Sequence, residues 1–245
     1  MDKNNLLINL TDISFSYPGE PEILDKLNLQ FSRNEKTGLM GPNGSGKTTL
    51  FHIIMGLLKP LSGNIEIFGK PAKEEKDFID VRMRIGLLFQ DADDQLFSPT
   101  VLEDVAFGPL NLGKSKDEAI DIARKTLEFL DLAGFEDRIT YKLSGGEKRL
   151  VSLATVLAME PEILLLDEPT TGLDEKTKTK IKKTLRELDL SYILISHEFD
   201  LLSEITDSIY TMDKGKIIFD KEVPLPEHLH AHPPGSYRNE PEYHR

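Results

Sequence analysis

Hydrophobic residues in the first part of the chain alternate with polar ones. Ile8 and Leu10, then Ile13, Phe15 and Tyr17, recur every second residue and stop at the turn-forming "PGEPE". Period two bounded by Pro and Gly predicts half-buried antiparallel strands and a loop. From about Lys36 the pattern changes. The short run "TGLM" leads into a glycine loop, after which Leu50, Ile53, Ile54 and Leu57, with Phe51, Met55 and Leu58, make a segment apolar nearly all round. This predicts a strand, a loop and a buried helix. Strand alternation returns in "SGNIEIFG", and "RIGLLFQ" reads as an apolar strand ending at Gln90.

Strand patterns then disappear between Asp91 and Met159. Ser115 and Glu118 have the spacing of a capping box ahead of Ala119, Ile122, Ala123, Leu127 and Leu130. In "LSGGEKRLVSLA", Leu150, Leu153, Ala154, Leu157 and Ala158 recur at helical spacing directly after Ser144, Gly145 and Gly146. Residues of about 91–159 are therefore expected to form a helical subdomain. The run from Ile163 to Leu166 is continuously apolar, a helical pattern around Ile181, Leu185 and Leu188 follows, and "YILISHE" reads as another buried strand. Alternating strand and helix predicts an α/β fold with a mostly parallel sheet. After Lys221 the composition shifts to "VPLPEHLHAHPPGSYRNEPEYHR". That predicts a domain over 1–221 and a poorly ordered His- and Pro-rich tail over 222–245.

Composition narrows the class. A chain of 245 residues, 39% hydrophobic, can bury the core of one large domain or of a domain with a subdomain. The absence of cysteine excludes disulfides and thiolate metal sites and fits a reducing compartment. A formal net charge of -12 argues against a general nucleic-acid binder. No apolar run approaches the ~20 residues that span a bilayer, and "MDKNNLLINL" lacks the pattern of a signal peptide, so a soluble chain is expected.

The chemistry is concentrated in three places. Gly41, Pro42, Asn43, Gly44, Ser45, Gly46, Lys47 and Thr48, followed by Thr49, carry the full GxxxxGKT pattern between a predicted strand and a predicted helix. Its glycines let backbone N–H groups converge on phosphate oxygens, Lys47 is a point charge for the β- and γ-phosphates, and the Thr48 hydroxyl can ligate Mg²⁺. At the end of its strand Asp167 stands where open α/β sheets bind ligands and can hold the metal shell. A second carboxylate beside it, Glu168, is costly in repulsion and suggests a task, the activation of a water. Ser144, Gly145 and Gly146 open a second helix, whose free N–H groups attract anions. One nucleotide would seem to need only one such cradle.

Together "GPNGSGKTT", "ILLLDE" and "LSGGE" resemble the Walker A, Walker B and signature sequences of ATP-binding cassette ATPases, and the resemblance runs from about Leu6 to Phe219. It implies a P-loop fold with a RecA-like core, an N-terminal antiparallel β subdomain and an inserted helical subdomain. It also implies ATP and Mg²⁺ as ligands, with Thr48, Gln90 and Asp167 at the metal. In this family two domains meet head to tail. Ser144, Gly145 and Gly146 would then cap the γ-phosphate held by the other subunit, which explains the second cradle. Lys47, Gln90, Glu168 and His197 resemble the family's catalytic set: Gln90 touches Mg²⁺ and water, and His197 contacts the γ-phosphate. Tyr17 resembles the aromatic residue that stacks on adenine, and is equally the last member of its strand face. Asp174 resembles a residue that crosses the dimer interface, although a helix cap is the ordinary reading of such an Asp.

"FQDADDQLFSPTVLEDVAFGPLNLG" is similar to the ATPases of energy-coupling-factor importers, most closely the cobalt/nickel branch. Asp93, Asp94, Gln95, Leu96 and Phe97 would there receive a membrane subunit. The other reading is an acidic surface loop with Leu96 and Phe97 tucked into the core. Two positions depart from the group: Asn34 stands where Gly is frequent, and Leu150 where a second Arg is. The expected function is a dimeric ATPase on the cytoplasmic face of the membrane that powers cobalt or nickel uptake. A vitamin importer, a soluble cassette ATPase and a non-enzymatic metal-binding regulator are the alternatives. His228, His230, His232 and His244 are candidate metal ligands of the tail, or simply solvated.

Overall fold

The computed structural model describes residues 5–218. The tail of 222–245, its four histidines and the boundary at 221 lie outside them. Strands β1 (Leu6–Ser16), β2 (Glu22–Ser32), β4 (Ser62–Ile67) and β5 (Lys70–Pro71) form one antiparallel sheet in the order β2-β1-β4-β5. β1 carries two runs of alternation because Asp12, at φ 52, interrupts it. The register to β2 shifts between Leu10 and Ile13. This bulge returns Ile13 and Phe15 to the buried face that Ile8 and Leu10 occupy. β1 stops at Ser16, so Tyr17 lies just beyond the strand whose face it was expected to end.

The second sheet holds β3 (Lys36–Met40), β6 (Ile85–Leu88), β7 (Ile163–Asp167), β8 (Ser191–Ile195), β9 (Ser208–Asp213) and β10 (Lys216–Ile218). Its order is β10-β9-β3-β8-β7-β6, and every pair is parallel except β9 with β10. The continuous apolar runs follow from covering both faces. Along β7, Ile163 and Leu165 enter one core cluster with the antiparallel sheet, while Leu164 and Leu166 enter another with the helices. Asn34, in the turn between β2 and β3, has φ 62, a conformation open to Gly and Asn, which accounts for its place there.

Helix α1 (Lys47–Ile54) buries Leu50, Phe51, Ile53 and Ile54 in the first cluster. It is shorter than its apolar pattern. The chain closes through Met55 and Gly56, whose N–H groups donate to Phe51 and Ile53 carbonyls, and Leu57 is left exposed. β6 likewise stops at Leu88 rather than Gln90, because the Phe89 N–H leaves the ladder for the Gln95 side chain. The charged α2 (Glu75–Arg84) precedes β6.

Between Asp91 and Met159 the helices are α3 (Val101–Asn111), α4 (Lys116–Phe129) and α5 (Gly145–Leu157). Thr100, Ser115 and Ser144 start them, each as half of a capping box. α6 (Glu175–Glu187) and α7 (Phe199–Ile205) complete the order. α5 lies directly on β6. A Cβ at Gly86 would come within 2.2 Å of Val156 Cγ1 and 3.1 Å of Leu164 Cδ2.

Close approach at Gly86 has a measurable consequence. Gly86→Ala is expected to destabilise the domain by about 1–3 kcal/mol through overpacking. Because the severest clash, at 2.2 Å, is with the Val156 side chain, Val156→Ala should remove most of that cost, giving a coupling energy of about 1 kcal/mol or more in a urea-denaturation double-mutant cycle. Additive effects would contradict the packing.

Candidate functional site

The loop between β3 and α1 is built on backbone that only glycine serves. Gly46 caps α1 at φ 102, and a Cβ there would lie 2.6 Å from Leu24 Cδ2. At Gly41 (φ +151) a Cβ would lie 2.2 Å from the Met212 carbonyl oxygen. Both positions combine a positive φ with a neighbour that leaves no room. The loop's chain therefore curls tightly in front of the free N–H groups that begin α1.

Around this loop the carboxyl ends of the parallel strands deliver the polar groups. A cleft of ≈ 310 Å³ is lined by Asn43, Gly44, Gly46, Lys47, Thr48, Thr49, Gln90, Asp167, Glu168, Ile195 and His197. A neighbouring cleft of ≈ 520 Å³ shares Thr48, Gln90 and Asp167 with it and extends past His52, Phe89 and Asp94. Residues from four parts of the sequence thus meet at one sheet edge, as expected where α/β sheets bind ligands.

Asp167 and Glu168 are 3% and 5% exposed. The Thr48 hydroxyl donates to Asp167 Oδ2 at 2.7 Å, while Asp167 Oδ1 is buried without a hydrogen-bond partner. Burial pushes the Asp167 carboxyl up; the Thr48 bond opposes this and the neighbouring Glu168 adds to it. An orphaned carboxylate oxygen beside a hydroxyl is a hard-oxygen pair of the kind that Mg²⁺ takes together with phosphate oxygens. The chemistry of the donor set therefore fits the ion.

Glu168 has φ 48, a strained conformation for a residue with a Cβ. Its N–H donates to the Ile195 carbonyl, Thr171 Oγ1 donates to its Oε2 at 2.7 Å, and its Oε1 lies 3.1 Å from His197 Nε2. That last approach lacks hydrogen-bond alignment, so Oε1 remains without a partner. The His197 side chain is about half exposed.

Lys47 is buried, and its ammonium donates to the carbonyls of Gly41 at 2.8 Å and Pro42 at 3.0 Å. Burial lowers its pKa, with Glu168 and Asp167 opposing. Ser45 Oγ is buried without a partner. Tyr17 stands beside the loop helix: its hydroxyl lies 3.4 Å from Thr49 Oγ1, and its ring meets Phe15 edge-on at 5.0 Å.

Four expected residues lie elsewhere. Ser144, Gly145, Gly146 and Asp174 line neither cleft. Ser144 caps α5 and donates from both N and Oγ to Glu147, whose carboxyl these bonds hold below its usual range. Asp174 caps α6, accepting from the N–H groups of Lys176 and Thr177 and from Thr177 Oγ1. A Cβ at Gly146 would lie 2.9 Å from Thr177 Oγ1, so these two helix starts are neighbours.

The segment expected at a docking surface divides. Asp94 and Phe97 are exposed, and Asp93 is exposed and pairs with Lys148. Leu96 packs against the helical core. Gln95 faces inward, accepting from the Phe89 N–H and donating to Ser152 O at 2.9 Å and Thr155 Oγ1 at 2.8 Å.

Arg149 carried no expectation. Arg149 is nonetheless 4% exposed and donates to five backbone carbonyls. Burial lowers its pKa to about 10, which leaves it charged at neutral pH. Its face of α5 continues through Leu153 and Val156, both buried, and this helical spacing was the one available signal.

Comparisons with known proteins agree with this geometry. The family model "ABC transporter" matches residues 24–171. A putative ABC transporter ATP-binding protein of Nitratidesulfovibrio vulgaris is 47% identical over 93% of this chain and 83% of its own length. The energy-coupling factor transporter ATP-binding protein EcfA of Methanothermobacter thermautotrophicus is 43% identical over 86% of this chain and 70% of its own. Among solved structures, CbiO1 of Clostridium perfringens, described as part of the ABC transporter complex CbiONQ, has TM-score 0.78 and 35% identity over 88% of each chain. The cassette MJ0796, in a dimeric post-hydrolysis state bound to ADP and Pi, has TM-score 0.78 and 28% identity over 86% of this chain and 96% of its own. The chain belongs to the ABC transporter family and is an ATP-hydrolysing ATP-binding cassette with a P-loop α/β fold.

Proposed function

We propose that Glu168 activates the water that attacks the γ-phosphate of ATP, in the ATPase subunit of an energy-coupling-factor importer. One observation carries the catalytic reading: Glu168 is buried beside Asp167, held at Oε2 by Thr171, and keeps Oε1 free and facing His197. The backbone of Gly41 to Gly46 and the N–H groups of α1 cradle the phosphates, and Lys47 turns its ammonium from the loop carbonyls toward the β- and γ-oxygens. Thr48, Asp167 and Gln90 would hold Mg²⁺, whose charge offsets that of the phosphates. Water forms the new P–O bond in line as the bond to the ADP oxygen breaks, and its proton passes to Glu168 Oε1. His197 and Gln90 orient the phosphate and the water, and Tyr17 offers its ring to the adenine.

The signature residues act in a partner. Ser144 and Gly145 are exposed at the start of α5 and lie outside their own chain's phosphate cleft, so a second copy can present its γ-phosphate to them. Asp174, beside them, borders the same interface. The assignment of 91–159 as a helical subdomain within a cassette of 1–221 belongs to this reading. So does docking of the membrane subunits near Asp93, Asp94 and Phe97, with the ATPase peripheral to the membrane. Among the described residues no helix is long and apolar enough to cross one. Cobalt or nickel as cargo is supported by the "DDQLF" and "FGPLNLG" resemblance.

Glu168→Gln should bind ATP normally, lower kcat by about 10²-fold or more, and stabilise an ATP-bound dimer in size-exclusion chromatography. Undiminished turnover would remove Glu168 from the mechanism. Lys47→Ala should instead weaken ATP binding by about tenfold or more, since a charge-assisted contact to phosphate is lost; titration with a fluorescent ATP analogue measures it.

Mixing chains tests the shared site. In a dimer of one Ser144→Arg chain with one Lys47→Ala chain, both defects fall in one site and the other is intact. Wild-type-affinity ATP binding at one of the two sites of each such heterodimer is expected, and at no site of either variant alone. If Ser144 served its own chain's nucleotide, the mixture would bind no better than its components.

A further inference from the structure

We infer that Arg149 and Gln95 are positioning residues for hydrolysis, through which α5 holds the Gln90 segment and the Glu168 turn at a fixed separation. The inference rests on the proposed role of Glu168. Neither side chain touches the cleft; both act on the backbone of residues that do.

A guanidinium has five N–H donors in a rigid fork. In Arg149 they meet five carbonyls. Nη1 serves Phe89 and, at 3.2 Å, Gln90; Nη2 serves Asp167 at 2.6 Å and Glu168 at 2.8 Å; Nε serves Pro169 at 3.1 Å. Two of these carbonyls belong to the segment that carries the Gln90 side chain, and three to the turn that carries both carboxylates. Lysine, with a compact ammonium, cannot span the two groups.

The fork also bears on the strain at Glu168. With φ 48 the residue sends its carbonyl down to Arg149 and its carboxylate up to Thr171 and His197. A left-handed residue persists only where its surroundings over-determine it. Releasing its carbonyl lets the turn relax and moves Oε1.

Gln95 supplies an independent tie. Its Oε1 takes the Phe89 N–H at 3.2 Å, and its Nε2 is anchored on α5 at Ser152 O and Thr155 Oγ1. Both polar groups of Phe89, adjacent to Gln90, are thus held by side chains on or anchored to one helix. That helix begins at Ser144.

The experiment measures steady-state hydrolysis of Mg-ATP by the full chain and its Arg149→Lys, Gln95→Leu and Glu168→Gln variants, with ATP affinity and thermal midpoint for each. Misplacement of the reacting groups predicts kcat lowered by about tenfold or more in Arg149→Lys and about threefold or more in Gln95→Leu. ATP affinity measured without Mg²⁺ should stay within about twofold in both, because Arg149 and Gln95 bond the backbone of the Gln90 and Glu168 segments and not that of the glycine loop. A purely structural role would leave kcat per folded molecule unchanged, or lower kcat and affinity together, and either result overturns the inference. Gln95→Leu replaces a half-buried side chain and decides the matter should Arg149→Lys not fold. If Glu168→Gln is inactive while Gln95→Leu and Arg149→Lys hydrolyse ATP at the wild-type rate, only this inference falls. If Glu168→Gln stays active, the reading beneath it falls.

Discussion

Five backbone carbonyls at the ends of two neighbouring strands turn inward onto one buried guanidinium, and the cleft above depends on it. Where β6 and β7 stop, their chains must part to make room for a ligand. The carbonyls there lose their ladder partners, and each left unpaired in the interior would cost on the order of 1–3 kcal/mol. Arg149 satisfies them from below without a second layer of strands. The price is a buried cation, kept charged by the fields of Asp167, Asp91 and Glu168.

Above that floor the charges are arranged to await a ligand. Burial raises the pKa of Asp167, and the charge of the adjacent Glu168 adds to it. Lys47, also buried, is lowered by desolvation and leans on its own loop's carbonyls. In the proposed reading, a tetra-anionic triphosphate with a divalent cation would resolve both tensions, Asp167 serving the ion and the Lys47 ammonium the phosphates.

Helix α5 has two different ends of responsibility. Its first turn is exposed and capped by Ser144 and Glu147, so any anion reaching the Ser144 hydroxyl competes with a carboxylate that Arg138 also holds. Its second turn is buried and grips the site's backbone through Arg149, and its third anchors Gln95. The "DDQLF" segment shares this division, with Asp93, Asp94 and Phe97 outward and Gln95 and Leu96 inward.

What the sequence determined by itself was local. The glycine loop, the Ser115 cap, the helix start after Ser144, the apolar strands ending in Asp167 and before His197, and the stripe of α4 all depend on contacts between residues a few positions apart or on which face is apolar. Such features are legible in a linear pattern. The tertiary structure decided the rest. The bulge at Asp12 is imposed by pairing with β2, the early end of β6 by a side chain six residues on, and the exposure of Leu57 by where α1 must stop. α2 escaped the pattern because only Phe78 and Val81 are buried, α7 because its seven residues are too few to show a helical period, and β9 because it is half-buried along most of its length. Arg149 was the least legible of all. Its partners are backbone carbonyls, which every residue has, and two of them lie 59 and 60 positions away in sequence. No side-chain pattern marks such a contact, because only the folded chain brings a particular carbonyl within reach of a particular donor.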